Sequence, residues 1–152
     1  MNALIKKGSS FKSSIVLPLD KSIAQRAAIL NVETNVGMVG GDVISTRLAS
    51  KNAIANGEEN LYLGNSGTGI RLLTGYLSGL GRKFNLSGDM SLSKRPMDRI
   101  ADPLNELGAK VSLNNGKPPI TILPSNLKKE FSYRLPIPSA QIKSSLLLAA
   151  LN

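Results

Sequence analysis

The stretch GNSGTGIRLLTGYL, residues 64–77, begins with glycine and small polar residues and continues as an apolar run of helical composition. Two other stretches have the same design, PLDKSIAQRAAIL at residues 18–30 and PSAQIKSSLLLAAL at residues 138–151. Self-similar segments of this kind indicate a chain built from repeated structural units. Ser and Thr are preferred at helix starts, so the sequence predicts N-cap or first-turn positions at Ser22, at Ser66 or Thr68, and at Ser139.

A second type of helix follows the first in two places. DVISTRLASKNAIANG at residues 42–57 and PMDRIADPLNELG at residues 96–108 have amphipathic patterns that end at glycine. Pro103 lies within the second pattern and predicts a first-turn position or a kink.

Short runs between the helices predict β-strands, namely residues 13–17, 61–63, 83–86, 109–113 and 120–123. The tripeptide Asn114-Asn115-Gly116 predicts a tight hairpin between the last two. The repeated unit is therefore strand, helix, strand, helix and strand pair, which defines an α/β (α+β) fold of βαβαββ units. The first unit is abbreviated, the second is complete, and the third begins at Ser139. Because the sequence stops at Asn152, soon after that helix begins, we expect an incomplete domain of a larger protein.

Composition restricts the chemistry. The 152 residues include no Cys and no His, which excludes disulfides, thiolate chemistry and histidine-based acid–base catalysis or metal binding. The net charge of +9 indicates either a nucleic-acid surface or a pocket for small polyanions. Neither a secretory signal nor a run long enough to span a bilayer is evident, so a soluble, cytoplasmic protein without membrane association is expected.

The helix starts offer a way to bind anions. Unpaired backbone N–H groups and the positive end of the helix dipole attract phosphate and carboxylate groups. If the three related helices converge, their first turns would bring together Lys21-Ser22, residues 65–68 and residues 139–141, with Arg26 one turn further along.

Each of these signals also has a plainer interpretation. Lys21 and Ser22 are compatible with simple helix capping beside a solvated cation, and Gln141 with a capping contact. The glycines at residues 64–69 fit a tight strand-to-helix turn as well as a phosphate-binding loop, and they lack the Lys of a Walker sequence. Lys94-Arg95-Pro96 is compatible with a surface turn, and Arg71 and Lys143 with structural or solvated positions.

Taken together, four motifs in order resemble the 5-enolpyruvylshikimate-3-phosphate (EPSP) synthase family. They are PLDKSIAQRAAIL at 18–30, LGNSGTGIRLL at 63–73, GDMSLSKRPM at 88–97 with DPLNELGA at 102–109, and SAQIKSSLLLA at 139–149. The resemblance spans residues 13 to 151. It implies an inside-out barrel of the enolpyruvyl transferase type, in which two domains of three repeated units enclose the reaction cleft. Residues 1–152 would be the N-terminal, shikimate-3-phosphate-binding domain, truncated in its third unit and without the C-terminal domain.

The resemblance also implies transfer of the enolpyruvyl group of phosphoenolpyruvate to shikimate-3-phosphate, without metal or cofactor. Shikimate-3-phosphate would be held by Lys21, Ser22, Arg26, Ser139, Ala140 and Gln141. Phosphoenolpyruvate would be held by Lys21, Gly67, Arg95 and Gln141. Lys21 would also be catalytic. Acidic and basic groups of the second domain, supplied in cis or in trans, would complete the site.

The chain departs from the family pattern in its first unit. Leu19 stands where Gly is usual, and Ala24-Gln25 replaces a more familiar Ser-His or Ser-Asn pair. A stretch about the size of one strand pair is missing between Val32 and Leu61.

Four other functions are compatible with part of this pattern. Absence of Cys argues against the related enzyme acting on UDP-N-acetylglucosamine, and absence of His against RNA 3′-phosphate cyclases. Dispersed Lys and Arg residues without a stacking motif argue against a nucleic-acid-binding module. A non-catalytic remnant of the synthase, which binds shikimate-3-phosphate only, stays open.

Overall fold

The structure is a computed structural model that describes residues 20–32 and 39–152. It contains helices α1 (Lys21–Ile29), α2 (Gly41–Ala55), α3 (Gly67–Ser78), α4 (Asp98–Leu107) and α5 (Ala140–Ala149), strands β1 (Asn60–Tyr62), β2 (Phe84–Ser87), β3 (Lys110–Asn114) and β4 (Lys117–Leu123), and a 3₁₀ turn at Leu92–Lys94. The strand predicted at 13–17 lies outside the described residues. Within the described ranges, none of the helices combines the length and the apolar character that crossing a membrane requires.

The four strands form one sheet in the order β1-β2-β4-β3. Strands β1 and β2 are parallel, and α3 makes the crossover that a parallel pair needs. Strand β4 runs antiparallel to both β2 and β3. Residues 60–123 therefore form the complete βαβαββ unit that the sequence predicts.

The hairpin between β3 and β4 also follows the prediction. Asn115 and Gly116 both have positive φ, 49° and 74°. A two-residue turn with positive φ at both positions matches the twist of the flanking strands, and Asn-Gly tolerates this conformation best.

Capping side chains set the helix starts. The Ser66 side chain accepts a hydrogen bond from the Gly69 N–H, and Ser139 likewise accepts from Ile142, as predicted. At α1 the N-cap is Asp20, which accepts from the Ile23 N–H, and Ser22 lies in the first turn. Asp and Ser both cap helices well, and at α1 the helix begins where Asp20, two residues before Ser22, is the cap.

Pro103 lies in the interior of helix α4, which continues to Leu107. Of the two outcomes predicted for Pro103, the first-turn position is therefore wrong, and the kink stays a prediction. Proline removes one backbone donor there, but Leu104 and Leu107 are buried. Gly108 then ends the helix in the left-handed conformation at φ 107°.

The first unit is abbreviated, as predicted. Helix α2 ends at Ala55 and β1 begins at Asn60, and the described residues between Gly40 and Asn60 contain no strand. The strand pair that follows α4 in the second unit thus has no counterpart after α2.

Helix α3 lies at the centre of the core and contacts the four other helices and the sheet. Its buried side chains Ile70, Leu73 and Leu77 belong to one aliphatic cluster with residues of the sheet, including Leu61, Phe84, Leu86, Ile120 and Ile122. Helix α5 packs closely on α3, with the Ser145 backbone directly over Gly75. This packing fixes the position of the α5 start relative to the α3 start.

Candidate anion-binding site

Side chains from the first two turns of α1, α3 and α5 are joined by hydrogen bonds. The predicted convergence of first turns is seen for α3 and α5, whereas α1 joins them through Arg26, one turn further along. From α3, Arg71 Nη1 lies 3.3 Å from Gln141 Oε1 on α5. Gln141 Nε2 in turn lies 3.0 Å from Thr68 Oγ1. These two hydrogen bonds join the start of α5 to the start of α3.

Arg26 joins α1 to α5. Its Nη2 donates to Ser144 Oγ at 2.8 Å, and Nε lies 3.3 Å from the same oxygen. Its Nη1 donates to the carbonyl and hydroxyl oxygens of Ser22. Two of the residues predicted to bind shikimate-3-phosphate, Arg26 and Ser22, are therefore in direct contact.

A buried polar chain underlies the site. Thr46 Oγ1 donates to the Asp42 carbonyl at 2.7 Å, so its contact of 2.9 Å with Ser66 Oγ requires the Ser66 hydroxyl to donate. Gln25 Nε2 then donates to Ser66 Oγ at 2.7 Å, and all three side chains are fully buried. This chain of hydrogen bonds links α1, α2 and the N-cap of α3. It includes Gln25, one of the residues that depart from the family pattern.

Lys21 is exposed at the start of α1 and pairs with Asp42 near the start of α2, with 3.0 Å between Nζ and Oδ2. This is the one salt bridge among the described residues. Asp42 could not be selected from the sequence alone, because its position relative to Lys21 depends on how α1 packs against α2.

Arg95 lies against the glycine-rich loop. Its guanidinium donates to Asn65 Oδ1, and Nη2 lies 3.5 Å from Ser91 Oγ. A side chain at the buried residue Gly67 would overlap the Arg95 guanidinium. The structure therefore places together Gly67 and Arg95, the two residues predicted to bind only phosphoenolpyruvate.

Positive charge accumulates here without neutralisation. Burial lowers the pKa of Arg71, and the nearby charges of Arg95 and Arg99 lower it further. Within residues 20–32 and 39–152, none of these three guanidiniums has a carboxylate within 4.0 Å. An anion bound between them would relieve this repulsion.

The remaining predicted residues lie at the α5 start. Ser139 is the N-cap and Ala140 the exposed first helical residue, beside Gln141. No direct hydrogen bond joins Lys21 or Arg26 to Arg95 in the described residues, so the cations line different parts of the site. Arg71 and Ser144, which contact predicted site residues, were missed as members of the site. The only signal was their spacing, one helical turn from Gly67 and from Gln141.

This geometry suits a ligand with several negative charges. Its groups are mainly donors: helix N-termini, one Lys, several Arg and the Gln141 amide. Such a set binds phosphate and carboxylate groups but provides little acid–base chemistry. The fold and the site thus define an α/β domain with one complete βαβαββ unit and a cluster of donors suited to polyanions.

Comparison with known proteins identifies the family. The family model described as EPSP synthase (3-phosphoshikimate 1-carboxyvinyltransferase) matches residues 38–152. The chain belongs to the EPSP synthase family. It is 39% identical to the 3-phosphoshikimate 1-carboxyvinyltransferase of Streptococcus uberis, over 93% of this chain and 40% of that protein. It is 36% identical to that of Thermoanaerobacter sp. strain X514, over 99% of this chain and 42% of that protein.

A solved structure, the EPSP synthase of Acinetobacter baumannii, superposes with a TM-score of 0.77 at 35% identity, covering 91% of this chain and 38% of that one. The chain thus spans about 40% of the length of the curated relatives it matches. The Streptococcus uberis match extends over 169 positions but includes only 93% of 152 residues, about 141, so roughly 28 positions occur only in the relative. This difference is consistent with the missing strand pair after α2.

Proposed function

We propose that this chain forms the shikimate-3-phosphate-binding part of a 3-phosphoshikimate 1-carboxyvinyltransferase. The reaction transfers the enolpyruvyl group of phosphoenolpyruvate to the 5-hydroxyl of shikimate-3-phosphate, a step in aromatic amino acid biosynthesis. The observation that carries the proposal is that the start of α5 is bonded both to α3, through Gln141, and to α1, through Arg26, beside the unneutralised Arg71, Arg95 and Arg99. The family match supplies the identity of the ligands.

In this proposal the phosphate and hydroxyl groups of shikimate-3-phosphate contact both sides of the Arg26–Ser144 junction. Lys21, Ser22 and Arg26 would act from α1, and Ser139, Ala140 and Gln141 from α5. The α5 residues offer the helix N-terminus and an amide, and the α1 residues offer charge.

Phosphoenolpyruvate would lie beside the glycine-rich loop, between Gly67 and Arg95, with Lys21 and Gln141 as further donors. Lys21 is the one proposed catalytic residue, because an ammonium group can stabilise charge that develops during transfer. Its salt bridge with Asp42 would have to yield to the ligand or orient the ammonium towards it.

Catalysis would require a further domain, in the same chain or in another, because the described residues around the site are donors with little acid–base capacity. Residues 1–152 would constitute the N-terminal domain, with its third unit beginning at Ser139. The proposal includes a cytoplasmic location, because both ligands are multiply charged and cross a lipid bilayer poorly unaided.

A second candidate is a protein that binds shikimate-3-phosphate without turnover. The short connection between α2 and β1 favours it, because the first unit lacks the strand pair that completes the second unit. The two candidates share the ligand and differ in whether phosphate is ever released.

Titration calorimetry with shikimate-3-phosphate tests the shared part. Removing one charged donor costs about 1.5–3 kcal/mol, so Lys21→Ala should weaken binding roughly 10- to 150-fold. Gln141→Ala should weaken binding as well. Lys110→Ala removes the same charge from an exposed position of β3 and should leave affinity unchanged. Absence of saturable binding by a folded wild-type chain would refute the proposal.

A phosphate-release assay separates the two candidates. It is run with both substrates and the chain alone, then with the C-terminal part of the Streptococcus uberis relative added. Release on addition supports the transferase, and binding that never leads to release supports the non-catalytic alternative.

A further inference from the structure

We propose that Arg71 is a positioning residue, which fixes the side-chain amide of Gln141 so that an N–H donor faces the bound anion. The inference rests on the proposed function, because it concerns how the same site recognises its ligand. It gives a role to a residue whose sequence pattern indicates only a structural or solvated arginine.

The Gln141 side-chain amide has two possible orientations. A glutamine side chain can rotate by half a turn and exchange its oxygen with its NH₂ group. In the structure, Gln141 Oε1 accepts from Arg71 Nη1 at 3.3 Å and Nε2 donates to Thr68 Oγ1 at 3.0 Å. The Thr68 hydroxyl can donate or accept and therefore permits either orientation.

Arg71 permits only one. A guanidinium has donors and no acceptor, so the reversed amide would place N–H groups against N–H groups. Arg71 alone therefore selects the observed orientation. Of the two Nε2 hydrogens, one is used by Thr68 and the other is available to a ligand.

Arg71 is itself held firmly enough for this role. Nη1 also donates to the Gly67 carbonyl at 3.3 Å, and Nη2 donates to the Pro96 carbonyl at 3.1 Å. These anchors are backbone atoms of the glycine-rich loop and of the residue that follows Arg95. The guanidinium thus connects two segments of the site to the Gln141 amide.

These contacts also show why Arg71 acts through Gln141. Three of its five guanidinium N–H groups donate to protein acceptors, including both of those on Nη1, so most of its donors are used within the protein. The charge it brings is unfavourable where it lies, because burial and the charges of Arg95 and Arg99 lower its pKa. A purely structural contact would not need a third cation at this place, whereas selecting the amide orientation needs a group with donors only.

Gln141→Glu is the sharpest single test. Glutamate keeps the acceptor that Arg71 requires but replaces the N–H donor by a second oxygen. We expect Gln141→Glu to bind shikimate-3-phosphate more weakly than Gln141→Ala, because it presents a carboxylate to an anion. Binding equal to or tighter than that of Gln141→Ala would overturn the proposal.

A double-mutant cycle tests the role of Arg71 itself. Arg71→Lys keeps the charge and loses the planar set of donors. It should weaken shikimate-3-phosphate binding roughly three- to tenfold, as expected for one lost hydrogen bond, and less than twofold in the Gln141→Ala background. An equal loss in both backgrounds would mean a structural role. Arg47→Lys, on the exposed face of α2, is the matched control and should leave affinity unchanged.

NMR of the ligand-free chain keeps the inference separate from the proposed function. In the wild type the Gln141 Nε2 protons should show nuclear Overhauser contacts to the Thr68 side chain, and these signals should weaken in Arg71→Lys because the amide then also adopts the reversed orientation. If the wild type fails to bind shikimate-3-phosphate, the proposed function fails, and these signals decide the positioning role. Signals that are unchanged by Arg71→Lys would overturn it.

Discussion

Replacing Gly75 by Ala should force α3 and α5 apart. A Cβ at this position would lie 2.7 Å from the carbonyl carbon of Ser145 and closer still to its oxygen. Ordinary contact begins near 3.4 Å, so the backbone of α5 would have to retreat by at least 0.7 Å. Because the obstructing atoms belong to the backbone, no change of side-chain rotamer relieves the overlap.

Two opposing effects set the size of the change. Alanine favours a helix interior over glycine by about 1 kcal/mol. Overpacking a well-filled core costs about 1–3 kcal/mol, and a backbone obstruction belongs at the upper end. The net expected loss is about 2 kcal/mol, which corresponds to a fall in Tm of about 4–8 °C for a chain of this length.

Thermal and urea unfolding measure this loss, and Gly41→Ala is the matched control. Gly41 is the first residue of α2, and a Cβ there meets nothing within 4 Å. The same substitution should therefore leave Tm unchanged or raise it by a few degrees. If Gly75→Ala proves as stable as Gly41→Ala, the close contact between α3 and α5 is wrong.

Three further results are expected. Ser66→Ala removes the α3 cap and the partner of Gln25 and Thr46, and should lower the free energy of unfolding by about 2–4 kcal/mol. Ser132→Ala, at an exposed position, is the control. A loss below about 0.5 kcal/mol in Ser66→Ala would contradict the buried hydrogen-bond chain. Gly108→Ala places a side chain at φ 107°, with its Cβ 3.0 Å from the Asn126 carbonyl oxygen, and should cost about 1–3 kcal/mol in urea unfolding; an unchanged midpoint would exclude the left-handed cap. The affinity for shikimate-3-phosphate should rise between pH 5 and 7, because the ligand phosphate gains its second charge near pH 6. It should then stay level to pH 9, because the chain has no His or Cys side chain to titrate there. A transition between pH 7 and 9 in a calorimetric pH series would contradict this, since it would show that a protein group titrates.

Local patterns predicted the elements of this fold. The periodicity of apolar residues located the five helices, and Asn115-Gly116 located a hairpin whose positive φ values suit those residues. Element ends were less certain, because several capping residues often stand together. At α1, Asp20 and Ser22 both suit an N-cap, and only the backbone geometry distinguishes them.

Most residues of the site could be predicted from the sequence, but the contacts between them could not. Lys21, Arg95 and Gln141 belong to motifs that are legible along the chain. The contacts of Arg26 with Ser144 and of Arg71 with Gln141 depend on how helices pack, which no local pattern contains. A long cation within a helix usually extends into solvent, and Arg71 departs from this because α5 covers it.

The hydrogen bond between Arg26 and Ser144 closes a loop of 118 residues, nearly the whole described chain. Contacts so distant in sequence carry a large entropy of closure and form late in folding. We therefore expect the site to exist only in fully folded molecules, so that a ligand shifts the global unfolding equilibrium. At a concentration one hundred times its Kd, that shift is about 2.7 kcal/mol. A thermal-shift screen of anionic metabolites would in this way report on the closure of the whole chain.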